Sequence, residues 1–383
     1  MKIGVITHWW CFENYGQILQ GYAFQKFLEQ RGHYGFIIKY FPGSDFADKI
    51  TWRRVIRRML SFKMLIGSIK AILRGARRAQ SMRREKIGRL RDFDGFRASR
   101  MNFTTRIYRS YAELKKSEEV DADIYSAGSD VVWMMLPFND DGRVLFLDFG
   151  RADAKRISYS ASFGASDVSE EYVDFATPLI SRMDAVSVRE PTGVNICKRM
   201  RREDAVCVMD PVFLLGADYY RKEFNIPDVR NGIYGYFLKM KPKVPLSEMD
   251  EIAKIRNQAE TKIVTVYNDM GLPSDRILNP TLPDWIRMIG SANLFVTNSF
   301  HGASMAIILH TPFVVLLKNN GTGMDNRLLG LLGRLGLEDR IYSENLNTIA
   351  SIANQEIDWD EVDRKLSREM ETSLMFLKEK CGL

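Results

Sequence analysis

The sequence predicts an α/β protein of two Rossmann-like lobes, each built on a parallel sheet and facing the other across a cleft. Three observations lead there. Strand and helix signals alternate from the first residues, with short links between them. The same alternation begins again after a polar stretch near 217–232. A chain of 383 residues also suits two domains of roughly 100–200 residues each.

The apolar run Lys2–Thr7 is the first strand. A loop through Tyr15-Gly16 enters a helix, because Ile18, Leu19, Tyr22, Ala23, Phe27 and Leu28 recur at helical spacing. Gly32 stands as its C-cap, and Gly35–Tyr40 is the second strand. Strand, helix, strand with short links implies parallel strands and right-handed crossovers. Further strands are expected at Ala122–Ala127, Arg156–Ser160, Asp184–Val188 and Ala205–Met209, with helices at Glu170–Arg182 and Pro191–Met200.

The second series has strands at Ile233–Leu238, Lys262–Val266, Leu294–Thr297 and Phe313–Leu317. Helices near Leu246–Glu260, Trp285–Gly290, Gly302–Leu309 and Asn326–Gly336 separate them. A last helix over Asp360–Lys380 is long enough to pack across both lobes. The expected division is a first lobe over 1–216, a second over 217–345, and a C-terminal helical segment over 346–383.

Charge is unevenly spread. Trp52–Arg91 carries fourteen Lys and Arg against one acid, Glu85, so this segment is +13 and the chain's +7 leaves −6 for the rest. Apolar residues three and four apart, among them Val55, Ile56, Met59, Ile66 and Ile69, make the segment one or two amphipathic helices inserted in the first lobe. It suits an anionic membrane surface or a solvated hairpin over the lobe. Nucleic acid is not expected as a partner, since the aromatic interleaving used for single strands is poor here.

Composition narrows the class further. With 45% hydrophobic and 27% charged residues, the chain can bury an ordinary core. The four cysteines, Cys11, Cys197, Cys207 and Cys381, form no C-x-x-C pair, which argues against a zinc site or a disulfide framework. Scattered thiols fit a reducing cytoplasm. The N-terminal apolar run lacks the layout of a secretory signal. The most apolar stretch, Ala303–Leu317, contains His310 and Pro312 and falls short of the roughly 20 residues that span a bilayer. The expectation is a cytoplasmic protein, peripheral at the inner face of the membrane, with no metal and no cofactor.

In open parallel sheets, ligands bind beyond the carboxyl ends of strands, and the residues with chemical potential follow strands here. After the first strand comes His8-Trp9-Trp10-Cys11, then Asn14-Tyr15-Gly16 at a helix start, where free N–H groups suit an anion. The tryptophans either line a sugar site or belong to the core. Gly128-Ser129-Asp130 follows another strand, and Asp130 either faces a ligand or caps a short helix. Arg189 follows a buried strand and must meet Glu190, another acid, or an anion that its planar fork can grip. Asp210-Pro211 is similar, or only shapes the crossover between lobes. Thr297-Asn298-Ser299-Phe300-His301 delivers polar residues and one of four histidines to a helix of small residues. A histidine there can serve as general acid or base. Last, the glycine-rich stretch 319–326 precedes Arg327, which either reaches a ligand or lies on the surface.

Taken together and in order, Asn14-Tyr15-Gly16, Gly128-Ser129-Asp130 with Trp133, Ser160-Ala161-Ser162-Phe163-Gly164, Val188-Arg189-Glu190, Asp210-Pro211, Thr297-Asn298-Ser299-Phe300-His301-Gly302 and Asn326-Arg327 resemble the polysaccharide pyruvyl transferase family. The resemblance runs from Met1 to about Tyr342. It implies a GT-B-like fold, phosphoenolpyruvate as donor, and a sugar of a cell-surface polymer or its lipid-linked precursor as acceptor. It implies that His301 moves a proton and that Arg189 binds the anion; Asp130 is expected to act as the base on the sugar. Many members carry an arginine where this chain has Ser299, so another cation, Arg327, is expected to help hold the donor. Two other readings share the fold: a glycosyltransferase using a nucleotide sugar, and a non-catalytic, membrane-associated glycan-binding protein.

Overall fold

The computed structural model describes all residues except 12, 43–85, 239–244, 259–260, 266–271, 318–322 and 344–346. Most of the basic segment therefore lies outside the described residues, as does the start of the glycine-rich stretch before Arg327.

Two six-stranded parallel sheets carry the fold. The first contains β1 (Lys2–Ile6), β2 (Tyr34–Ile37), β3 (Ile124–Ala127), β4 (Lys155–Ala161), β5 (Ala185–Val188) and β6 (Val206–Cys207), in the order β2-β1-β3-β4-β5-β6. The second contains β7 (Ile233–Phe237), β8 (Lys262–Thr265), β9 (Ile277–Leu278), β10 (Leu294–Thr297), β11 (Phe313–Leu316) and β12 (Ile341–Tyr342), in the order β12-β11-β10-β7-β8-β9. All pairings are parallel, so both sheets need helices over their faces, and their strands read as continuous apolar runs. In each sheet the strand order reverses at one place: between β1 and β3 in the first, and between β7 and β10 in the second. Crevices open at such places.

The expected strands are present, most within one or two residues of the expected ends. The sequence reading missed the short edge strands β9 and β12, and the helices Phe93–Arg100 and Gly216–Glu223. The latter falls on the polar stretch expected to be a simple boundary; Tyr220 is its one fully buried side chain, while Ala217 and Tyr219 pack partly buried against the core.

The first helix, Tyr15–Gln30, explains how the lobes meet. Asn14 caps it, its Oδ1 accepting from the Gly16 amide, a contact worth about 1 kcal/mol. It ends at Gly32, whose φ of +75° suits a residue without a side chain. Most of its residues are buried, since one side covers the first sheet and another enters the contact with the second lobe. A continuous apolar cluster joins Tyr15, Leu19 and Tyr22 to Trp285, Phe300 and Leu331. Tyr15 stacks on Trp285 at 4.8 Å between centroids and donates its hydroxyl to the Pro280 carbonyl at 2.6 Å.

Two features tie the lobes further. Arg91 was counted with the basic, membrane-facing segment, but it is fully buried. It donates to the carbonyls of Glu13 and Thr265 and to Asn279 Oδ1, so it bridges the lobes. Ile87 and Gly88 are buried too, whereas Lys86, Arg89 and Leu90 of the same helical turn are exposed. The C-terminal helix Trp359–Met375 starts against the second lobe through Val362 and Leu366. Its π-helical extension, Phe376–Cys381, sinks Phe376, Leu377 and Cys381 into the core of the first. Among the described residues, no helix is long and apolar enough to cross a membrane.

Candidate active site

The carboxyl ends of β1, β3, β5 and β6 converge on one point beneath the start of the helix Phe300–Ile308. Asp210 is the hub. It follows β6, is fully buried, and its Oδ1 caps the next turn through the Val212 amide at 3.1 Å. Its Oδ2 accepts from Ser129 Oγ at 2.6 Å and Arg189 Nη1 at 3.1 Å, and lies 3.5 Å from His301 Nε2. Burial alone would raise the Asp210 carboxyl; the charges of His301 and Arg189 and the Ser129 hydroxyl outweigh it and hold the group well below the usual carboxylate range.

Arg189 follows β5. Its guanidinium lies over the Phe300 ring at 4.5 Å and 3.9 Å from Glu190 Oε2. Its side chain is 1% exposed, yet Nε and Nη2 meet no acceptor. Glu190 Oε1 is engaged by Ser162 Oγ and the amides of Phe163 and Gly164, while its Oε2, buried without a hydrogen bond, is the oxygen that faces Arg189. Buried N–H groups without acceptors are costly, and a planar anion would satisfy them.

Arg327 is buried rather than on the surface. Burial, then the positive charge of Arg189, brings its guanidinium down to about 10, so it stays charged at neutral pH. Nε donates to the Met324 carbonyl at 3.2 Å. The second cation expected from the substitution at Ser299 therefore stands within electrostatic reach of the first.

His301 comes from the second lobe, on the helix Phe300–Ile308, and is 6% exposed. Gly16 makes room for it: a Cβ on Gly16 would lie 2.1 Å from His301 Nδ1. The glycine is required by close approach, since its backbone is helical. Tyr15 and Asn14 serve the same junction, Asn14 Oδ1 also accepting from Tyr236 at 3.4 Å.

Asp130 follows β3 through Gly128, where a Cβ would crowd Thr7 and Val5. It sits at φ +76°, an uncommon conformation for a residue with a side chain. Burial would raise its carboxyl, but the hydrogen bond and charge of His8, then Arg189 and His301, hold it well below the usual range. Its nearest partner is His8, with Nδ1 3.5 Å from Asp130 Oδ2. His8, left open in the sequence, thus joins the site; the available signal was its place just beyond β1.

Asn298 and Ser299 are used differently. Asn298 Oδ1 accepts from the Leu238 amide at 2.8 Å and Nδ2 donates to its carbonyl at 3.4 Å, pinning the ends of β7 and β10 together. Ser299 caps the His301 helix through the Gly302 amide at 3.3 Å. Both side chains face the frame of the site. Among the described residues, no group of three or more His, Cys, Asp or Glu could hold a metal ion.

Two parallel α/β lobes thus meet at a buried His–Asp–Arg cluster. Residues 14–320 match the family model for polysaccharide pyruvyl transferase, and the chain belongs to that family. No curated protein matches it. Among solved structures, it is similar to UDP-GlcNAc 2-epimerase from Methanocaldococcus jannaschii, with 13% identity, 97% of this chain and 92% of that chain covered, and a TM-score of 0.44. It is also similar to the spinosyn rhamnosyltransferase SpnG, with 13% identity, all of both chains covered, and a TM-score of 0.45. UDP-N-acetylglucosamine 2-epimerase from Rickettsia bellii shares 10% identity over 98% of this chain and 97% of that one, with a TM-score of 0.44.

Proposed function

We propose that the chain transfers a pyruvyl group from phosphoenolpyruvate to a sugar of a cell-surface polysaccharide or its lipid-linked precursor, closing a ketal. The observation that carries this reading is Arg189, a buried guanidinium whose Nε and Nη2 lack acceptors, with Arg327 as a second buried cation nearby. The pair suits the carboxylate and phosphate of one small donor.

The reaction adds a proton to the donor's methylene carbon, which leaves positive charge on the neighbouring carbon. One sugar hydroxyl adds there and loses its proton. The bond from that carbon to the phosphate oxygen breaks, and inorganic phosphate leaves. A second hydroxyl adds to the same carbon and closes the ring. Of the two hydroxyl protons lost, one balances the proton gained by the methyl group and the other departs with phosphate. His301, facing Asp210, supplies or relays the proton to carbon. Such transfer is typically worth about 10²–10⁴-fold in rate.

A lipid-linked acceptor also gives the basic run 53–84 a purpose at an anionic membrane surface. Glutamine in place of its Lys and Arg should weaken binding to anionic vesicles and leave binding of phosphoenolpyruvate intact.

The deciding experiment is thermal unfolding with phosphoenolpyruvate and with a panel of nucleotide sugars, alongside phosphate release in the presence of cell-derived lipid-linked glycans. A donor at 100 times its Kd stabilises by about 2.7 kcal/mol. Stabilisation by phosphoenolpyruvate with acceptor-dependent phosphate release is the expected result. Stabilisation by a nucleotide sugar alone would overturn the reading.

A further inference from the structure

We infer that His8, oriented by Asp130, is the base that takes the proton from the acceptor hydroxyl. This rests on the pyruvyl-transfer reading and divides its proton steps between two imidazoles, His301 serving the donor and His8 the acceptor.

The topology brings the pair together. β1 and β3 are neighbours where the strand order reverses, so the residues just beyond their ends line the same crevice. Asp130 is buried, and its Oδ2 makes no hydrogen bond shorter than the 3.5 Å approach of His8 Nδ1. Its backbone is anchored, the Asp130 carbonyl accepting from the Ser162 amide at 3.0 Å. A left-handed φ held in place by such contacts points the carboxylate at His8 and keeps it there.

Chemistry then separates the roles. A carboxylate stabilised in its charged form, as Asp130 is by His8, Arg189 and His301, is a poor proton acceptor. It is a good orienter. With Nδ1–H directed at Asp130, the His8 lone pair is on Nε2, free to accept from a hydroxyl. The charged groups around the dyad are Asp130 itself, Arg189, His301 and Arg327.

Access separates the two histidines. The His8 side chain is 23% exposed, against 6% for His301. A bulky glycan can reach His8, whereas His301 is enclosed by Gly16, Phe300 and Asp210. Trp10 lies edge-on to His8 at 5.2 Å and to Phe41 at 5.0 Å, and is half-buried. It gives the acceptor sugar an apolar wall beside the base.

The test uses the full chain with phosphoenolpyruvate and lipid-linked acceptor glycans. His8→Gln should lower kcat by about 10²–10⁴-fold, the usual worth of a general base. The KM for acceptor and the thermal protection by phosphoenolpyruvate should stay within threefold and one degree of the unaltered protein, by order of magnitude. Imidazole in solution should restore part of the activity of His8→Ala. Asp130→Asn should also lower kcat, with the acceptor KM little changed, because the imidazole loses the carboxylate that orients it. His8→Gln that turns over within about threefold of the unaltered protein overturns the assignment alone. If His8→Gln does not fold, Asp130→Asn decides, and turnover within about threefold of the unaltered protein overturns it. An unaltered protein that releases no phosphate from phosphoenolpyruvate overturns the pyruvyl-transfer reading itself.

Discussion

The strand ends of the two lobes are built on opposite principles. In the first lobe, His8, Asp130, Arg189 and Asp210 are charged or titratable; Arg189 Nε and Nη2 are buried without hydrogen-bond partners, and Asp130 Oδ2 faces His8 Nδ1 at 3.5 Å. In the second, the polar residues beyond β10 are spent on the backbone: Thr297 on Tyr236, Asn298 on Leu238, and Ser299 on Gly302. Only His301 leaves that frame to approach Asp210. The lesson is that polar character at a strand end does not by itself mark a ligand site; what matters is whether the local backbone already satisfies it. Among the described residues, the second lobe brings one imidazole, His301, and one buried cation, Arg327, toward the charged strand ends of the first.

The sharpest test of this division is His301→Gln, expected to lower kcat by about 10²–10⁴-fold with the melting temperature nearly unchanged, read from phosphate release and calorimetry. A comparable loss in Asn298→Ala would break the contrast. Gly16→Ala comes next. Its Cβ would meet His301 Nδ1 at 2.1 Å, so overpacking should cost about 1–3 kcal/mol in denaturant unfolding and displace the imidazole, lowering kcat as well. Ser299→Ala follows, at about 1 kcal/mol of stability for a lost N-cap, with unchanged affinity for phosphoenolpyruvate by calorimetric titration. A large drop in that affinity would show that Ser299 had taken over donor binding from the family's arginine.

The smallest effect concerns acid. Asp130 and Asp210 are held below the ordinary carboxylate range in the folded state. Their stability contribution is therefore full above the unfolded value of about 4 and is lost as pH falls below it. Asp210→Asn should flatten the decline in unfolding free energy measured between about pH 4 and pH 2, relative to the unaltered protein.

Much of the fold was legible because parallel strands leave continuous apolar runs, and because Asn14 and Gly32 mark the first helix's ends by known chemistry. The helix Phe93–Arg100 was not legible. It follows the basic run, and only Phe93, Phe96 and Arg97 of its residues are buried. Arg91 misled for a physical reason: composition counts its charge, but cannot show that its N–H groups end on carbonyls inside the protein. Within the site, Arg189, Asp210, His301 and Asp130 were visible as strand-end residues, and all four meet. His8 stays open in the sequence: its place just beyond β1 marks it, but its partner lies on a different strand. Asn298 and Ser299 read as ligand-facing from the sequence, which does not reveal which polar groups the backbone will claim.

The C-terminal extension Phe376–Cys381 has a consequence for the order of events during synthesis. Phe376, Leu377 and Cys381 complete the core beside Phe24 and Tyr159. They leave the ribosome only after the whole second lobe has been made. The first lobe therefore waits, with an apolar face uncovered, until translation reaches the last residues of this sequence. Nascent chains halted before Phe376 should be the ones that chaperones retain and proteases cut, even though both sheets are already present in them.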